Sequence, residues 1–403
     1  MKQKGSKHLR IAILGFGREG KAILKFLQTS PDYRGAEIVI FDHNPKVSVP
    51  HGARAILGKD ALQWLHGFKL MFRSPGIPYL TPEIQHVVEE GTKCFSATKL
   101  FFELAPCPII GVTGTKGKGT TATLIYNILK AAGRDAHLVG NIGKPALRAL
   151  PRIKKNSVAV FELSSFQLQD LDHSPHVAAV LEIFPDHMDA HGSFDEYREA
   201  KASIARHQRP RDHVFYFSDN VFAAQIADTG RGKKHPVSPT GFALFSSADL
   251  QIPGAHNFKN AVMAAEVCRA EGAADEIILK ITKRFRGLPH RLELVRCVEA
   301  ERRGEQRGKT RMCFYNDSAG TNPNTAAAAV RAFTEPLMLI AGGKDKNLDY
   351  APLRDAIAAS PNVKLVVLIG ENRDKISAAL QRIKNKELRI TERGTLRDAV
   401  RAA

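Results

Sequence analysis

The residues best suited to chemistry lie in one run, GVTGTKGKGTT, from Gly111 to Thr121. A short apolar segment, PIIGVTG, enters a glycine-rich turn, and ATLIYNILKAAG leaves it with helical periodicity. Glycines let the main chain approach a ligand closely, so backbone N–H groups and the helix N-terminus can surround phosphates while a lysine neutralises them. Gly114, Thr115, Lys116, Gly117, Lys118, Gly119, Thr120 and Thr121 are therefore candidate contacts to phosphates, the alternative being a strand-to-helix turn that binds nothing. The spacing departs from the general phosphate loop. Val112 stands where the first glycine is expected, and Gly119 where a hydroxyl residue usually ligates magnesium. A second glycine-rich turn, GFGREG, carries Gly15, Gly17 and Gly20. It has the form of a dinucleotide fingerprint, or else serves close backbone packing.

Such turns need strands to aim them and helices to follow. HLRIAILG, GFGREG, the amphipathic KAILKFL and AEIVIFD, ending in Asp42, give strand, turn, helix, strand. The same alternation continues through KLMFRSPGI and TPEIQHVVEEGTKCFS to a linker near Pro106 and Pro108. A second series runs from PIIGVTG through VAVFELSS, VAAVLEIF, the helical FDEYREAKASIARHQ and the long helix HNFKNAVMAAEVCRAEGA. A third begins near Gly287 with GLPHRLELV and continues through MCFYNDS, NTAAAAVRAF, PLMLIAGG and KLVVLIG. The reading is α/β throughout, divided as 1–105, 106–286 and 287–403.

Composition bounds the function. The chain has 403 residues, 43% hydrophobic and 25% charged, as a folded protein of two or three domains would. Lys+Arg at 59 against Asp+Glu at 41 leaves +18, a surplus that attracts polyanions. With only Trp64 and 7 Tyr, and no basic block interleaved with aromatics, a specific nucleic-acid binder is not expected. No apolar run approaches the roughly 20 residues of a membrane span, and the basic N-terminus leads into a stretch broken by Gly, Arg and Glu. The five cysteines are scattered without a CxxC pair, which suits reduced thiols in a cytoplasm better than disulfides or zinc.

The run TGTKGKGTT is followed in order by GNIG (Gly140 to Gly143), ELSSFQL (Glu162 to Leu168), DHMDAHGSFDEYREAK (Asp186 to Lys201), GAHNFKN, GLPHRLE and NDSAGTNP. This series resembles the Mur ligases along nearly the whole chain, most closely those that add D-glutamate. The resemblance implies a Rossmann-like N-terminal domain for the UDP-sugar, a central P-loop ATPase-type domain and a Rossmann-like C-terminal domain. It implies ATP-dependent addition of D-glutamate to UDP-N-acetylmuramoyl-L-alanine in peptidoglycan precursor synthesis, by a cytoplasmic monomer, through an acyl phosphate. The carboxylate is activated by phosphoryl transfer because its own charge repels an amine and oxide is a poor leaving group.

By the same resemblance, Glu162 and His187 match metal ligands, Lys201 matches a lysine carried as a carbamate, and Lys118 completes the catalytic set around two magnesium ions. Thr120 takes a metal, with Thr121 or a water as the substitute. Asn257 and Asn260 match adenine-side positions, and Arg291 and Asp317 a contribution to ATP from the third domain. Thr321 and Lys346 correspond to residues near the incoming amino acid. Arg18, Glu19, Asp42, Ser74, Asn141 and His187 match the UDP-sugar side. Read without the resemblance, Lys201 is a surface lysine and the two asparagines cap a helix. The chain departs from the family pattern at Ala319, where a lysine is usual, and in ending at TLRDAVRAA, which reads as truncated before a loop that binds the glutamate side chain. L-glutamate or another amino acid as substrate, and a non-catalytic nucleotide-binding paralogue, are the alternatives.

Overall fold

Unbroken apolar runs make strands buried on both faces, and such strands pair in parallel with helices above and below. The structure, a computed structural model, describes residues 9–51, 53–186, 188, 190–301, 309–383 and 387–403. The first sheet joins β1 (Arg10–Leu14), β2 (Glu37–Asp42), β3 (Arg54–Leu57), β4 (Leu70–Arg73) and β5 (Lys93–Ser96), all parallel, in the order β3-β2-β1-β4-β5. The second joins β6 (Ile109–Thr113), β7 (Asp135–Gly140), β8 (Ser157–Glu162), β9 (Val177–Val180), β10 (His213–Phe217) and β11 (Lys233–Val237), again parallel, in the order β11-β10-β9-β6-β8-β7.

Both sheets belong to one compact unit, Met1–Phe242 with Asn260–Ile281. They share a core although the sequence divides them at 105/106. Phe101, on the helix Ala97–Leu104 that closes the first series, meets Phe161 of β8 edge to face at 5.4 Å. Arg73 at the end of β4 has a fully buried side chain, and its guanidinium reaches Asp170 at 2.8 Å and the Phe166 carbonyl at 2.8 Å.

The second unit is Ala243–Lys259 with Thr282–Ala403. It contains an antiparallel ribbon, β12 (Glu293–Glu301) with β13 (Lys309–Asn316), and a parallel sheet of β14 (Leu337–Gly343), β15 (Val363–Gly370) and β16 (Arg389–Glu392). The ribbon corrects the expectation of reduced thiols. Cys297 and Cys313 stand directly opposite in its register and form a disulfide, although 16 positions separate them in sequence. Pairing of this kind comes from register, which no local cysteine spacing encodes. Cys94, Cys107 and Cys268 are free. No described helix is long and apolar enough to cross a membrane.

Candidate active site

In an open parallel sheet, ligands gather beyond the carboxyl ends of the strands where the order reverses. β6 lies between β9 and β8, in a register that sets Val112 against Glu162 and Thr113 against Val180. The phosphate loop, the end of β8 and the segment after β9 therefore reach one edge together. The loop turns sharply at Gly117, which has φ +84° and precedes the helix Lys118–Ala131. A Cβ there would lie 2.1 Å from Asn260 Oδ1, and one at Gly114 would lie 2.6 Å from Leu181 Cβ. Only glycine fits both places, which leaves a narrow cradle of main chain.

Thr115 anchors the cradle to the neighbouring segment. Its N–H donates to the Glu182 carbonyl at 2.8 Å, its hydroxyl donates to the Phe184 carbonyl at 3.0 Å, and the Tyr197 hydroxyl donates to Thr115 Oγ1 at 3.1 Å. Lys116 pairs with Asp186 at 2.9 Å. Lys118 Nζ lies 3.0 Å from the carbonyl oxygens of both Gly114 and Thr115, folded over the loop it follows. Thr120 is buried, and the buried Thr121 hydroxyl makes no hydrogen bond among the described residues.

Lys201 occupies the centre of this edge and is not the surface lysine that its position on a helix suggests. It lies on the inner face of the helix Phe194–Arg206 and is 1% exposed. Ser193 caps that helix by accepting from the Glu196 N–H at 3.1 Å, and Asp195 and Glu196 suit its positive end. The Lys201 Nζ donates to the Gly114 carbonyl at 3.0 Å and to Thr113 Oγ1 at 3.3 Å, above the Tyr197 ring at 4.7 Å. Burial pushes its ammonium well below the ordinary lysine range. Lys118 and Lys116 push the same way, while Asp186 and Glu162 oppose them. A lowered pKa raises the share of neutral amine, the form that can act as a nucleophile toward carbon dioxide, which an ammonium cannot.

These groups fit a magnesium nucleotide. The glycine cradle admits phosphate, lysines supply charge, and Glu162, Asp186 and the Thr120 and Thr121 hydroxyls are the hard oxygen donors that magnesium selects. His187 lies outside the described residues.

The turn of the first sheet is built differently. Gly15 has φ +81°, and a Cβ on Gly20 would lie 2.1 Å from the Gly15 carbonyl oxygen, so the helix Arg18–Thr29 starts hard against the turn. Asp42 accepts from the Phe16 N–H at 2.7 Å and the Asn44 N–H at 2.8 Å, and the Ser74 hydroxyl donates to the Gly15 carbonyl at 2.8 Å. Arg18 bridges to the loop after β7, donating to the carbonyls of Asn141 at 3.3 Å and Gly143 at 2.7 Å. Glu19 accepts from Gln167 at 3.2 Å, and burial raises its carboxyl to about 7. Arg18, Glu19 and Asn141 are thus brought together, with Asp42 and Ser74 beneath them holding the turn.

Asn260, in the first unit, abuts Gly117. Asn257 lies in the second unit, where its side-chain amide donates to the Pro253 carbonyl at 2.7 Å. In the same unit, Asp317 accepts from the Leu292 N–H at 3.0 Å. Burial raises its carboxyl, while Arg291 nearby lowers it. Thr321 and Lys346 are exposed.

Sequence reasoning missed several members of the constellation. Asp186 was visible only as the start of DHMDAHG, and Tyr197 could have been found as the residue one helical turn before Lys201. His191, fully buried, stacks on Phe166 at 4.7 Å and bonds the Ser165 hydroxyl at 2.8 Å. The Arg73–Asp170 pair carried no local signal.

A family model described as Mur ligase middle domain matches residues 112–247, and one described as Mur ligase MurD-like, N-terminal domain, matches residues 9–96. A UDP-N-acetylmuramoylalanine--D-glutamate ligase from Acetivibrio thermocellus is 34% identical, covering 100% of this chain and 90% of the relative. One of the same name from Geobacillus kaustophilus is 33% identical, covering 96% and 88%. Among solved structures, UDP-N-acetylmuramate-alanine ligase from Thermotoga maritima aligns with TM-score 0.56 at 16% identity, covering 98% of each chain. MurF from Acinetobacter baumannii aligns with TM-score 0.57 at 18% identity, covering 98% of this chain and 86% of that one. At these identities the structures are alike in fold.

Proposed function

The chain belongs to the Mur ligase family, in its D-glutamate-adding branch, and from that premise we propose that it joins D-glutamate to UDP-N-acetylmuramoyl-L-alanine, converting ATP to ADP and phosphate. The observation that carries this reading is the concentration of charge at the carboxyl edge of β6 and β8, where Lys116, Lys118, Lys201, Glu162 and Asp186 surround a glycine cradle. A carboxylate attacking the γ-phosphorus of ATP brings two anions together, and transfer through an acyl phosphate needs that repulsion neutralised in a fixed geometry.

The residue roles belong to the same proposal. Lys118, with the main-chain N–H groups of Lys116 to Thr120, binds the phosphates, and Lys116 is oriented by Asp186. Glu162, His187, Lys201 and Thr120 or Thr121 would hold two magnesium ions, which supply charge neutralisation and orientation to the phosphoryl group. For Lys201 to serve, its amine must first form a bond from nitrogen to the carbon of carbon dioxide and lose a proton, giving a carbamate anion. Its burial, which favours the neutral amine, supports that step. Carbon-13 bicarbonate should then give a carbamate resonance that disappears in Lys201→Met. A spectrum identical in the two proteins contradicts the assignment.

On the other side, Arg18, Glu19, Asn141 and His187 would face the UDP-sugar, with Asp42 and Ser74 shaping the turn. Asn257 and Asn260 would lie toward adenine, Arg291 and Asp317 toward the phosphates and ribose, and Thr321 and Lys346 toward the amino acid. These roles distribute over residues 1–105, 106–286 and 287–403, in a cytoplasmic monomer. ADP release measured in parallel with D-glutamate and L-glutamate tests the function. Release that requires the UDP-sugar and D-glutamate is expected. Preference for L-glutamate would reassign the amino acid, and ATP binding without release for any amino acid, a reading that Ala319 favours, would make the chain a binding protein.

A further inference from the structure

Away from the phosphate edge, three exposed side chains bring metal-ligating atoms together. The donor atoms of His66, His86 and Glu90 all lie within 4.8 Å of one another. The imidazoles of His66 and His86 meet edge to face with centroids 6.1 Å apart, and His86 Nε2 lies 3.3 Å from Glu90 Oε1. His86 and Glu90 are four positions apart across the end of the helix Pro82–Glu89, so they project from one face as a chelating pair. His66 comes from the loop before β4, where its N–H donates to the Trp64 carbonyl at 2.9 Å.

The scaffold beneath is rigid. The loop buries Leu65 and the helix buries Ile84 and Val87 in one apolar cluster under the first sheet, so the elements bearing the three donors are fixed to each other. The side chains themselves are free to adjust, with His86 61% and Glu90 53% exposed. Ligands around a tetrahedral zinc ion stand about 3.4 Å apart, a contraction that exposed side chains reach by small rotations. Two imidazoles and a carboxylate form a nitrogen-rich set. Such a set prefers zinc, nickel or copper to magnesium, which takes oxygen ligands. Exposure also leaves an entry path and a fourth position for water.

We infer that His66, His86 and Glu90 form a surface site for a divalent transition metal of the zinc class, separate from the magnesium-binding edge of the second sheet. The chain's single tryptophan, Trp64, is 68% exposed and two residues from His66, which makes its fluorescence a local probe. The full chain is titrated with nickel chloride in excess magnesium, which occupies the phosphate edge, and nickel is then competed with zinc. Saturable quenching at micromolar nickel, reversed by zinc, is expected. His66→Ala and His86→Ala should each weaken it at least about tenfold, and Glu90→Gln by a smaller factor. All three positions are exposed, so the variants should keep the wild-type melting temperature and ADP release. Quenching that rises linearly to millimolar nickel, or a curve unchanged in the His66→Ala/His86→Ala double variant, overturns the site.

Discussion

The two glycine-rich turns of the first unit follow one pattern, strand then turn then helix, yet they are finished in opposite ways. In the first, neighbouring strands deliver Asp42 and Ser74, which take up the polar groups of the turn, and Gly20 lets the helix close against it. In the second, neighbouring elements deliver Glu162, Asp186 and Lys201, so charge accumulates around the loop. The lesson is that a glycine-rich turn specifies only an approach of main chain. What the flanking strands bring to its edge decides whether the polar groups of the turn are taken up or charge collects around it.

Substitutions can break this contrast, and the largest effect is expected at the second turn. In the role proposed for Lys118, Lys118→Ala should lower the kcat for ADP release by about 10³-fold or more while leaving the melting temperature close to wild type, because it would remove charge from the reacting phosphoryl group. At the first turn the effects should fall on stability and on UDP-sugar binding.

Glu19→Gln offers the next largest effect, with a definite pH signature. The carboxyl stands at about 7 in the fold against 4.5 ordinarily, so the folded state holds the extra proton between those values. Below pH 4.5 both states are protonated and the shift costs nothing. As pH rises from 4.5 to 7 the unfolded chain ionises first, so the wild type loses stability, and above 7 the loss is complete at no more than about 3.4 kcal/mol. Thermal melts of Glu19→Gln should therefore match wild type at low pH and exceed it increasingly toward pH 8. A gap of constant size across that range contradicts the assignment.

Gly20→Ala should destabilise by about 1–3 kcal/mol in denaturant melts, because the new methyl meets a main-chain carbonyl that cannot swing aside. Asp42→Ala leaves the Phe16 and Asn44 N–H groups without their acceptor and should cost about 1–2 kcal/mol. It should also raise the KM for the UDP-sugar, with kcat little changed.

Much of this architecture was legible in the sequence, for a physical reason: strands buried on both faces are continuous apolar runs, so IAIL, IVIF and VAVF announce themselves. The phosphate loop was legible because its glycines and lysine are contiguous. Long-range events left no such trace. Arg73 and Asp170 are 97 positions apart and meet only because the two sheets share a core. Lys201 looks like any helical lysine until the fold buries its face, and Cys297 meets Cys313 through register alone. Asp42 was legible as a strand end, but that its carboxylate closes the turn was not.

The division of labour between the turns is tested most directly by ADP release from Lys118→Ala and Arg18→Ala, measured side by side across a range of UDP-N-acetylmuramoyl-L-alanine concentrations. Lys118→Ala should lose turnover at every concentration, whereas Arg18→Ala should raise the KM for the UDP-sugar and recover kcat to within about threefold at saturation. Wild-type turnover in Lys118→Ala, or a kcat loss in Arg18→Ala as deep as that of Lys118→Ala with KM unchanged, would contradict it.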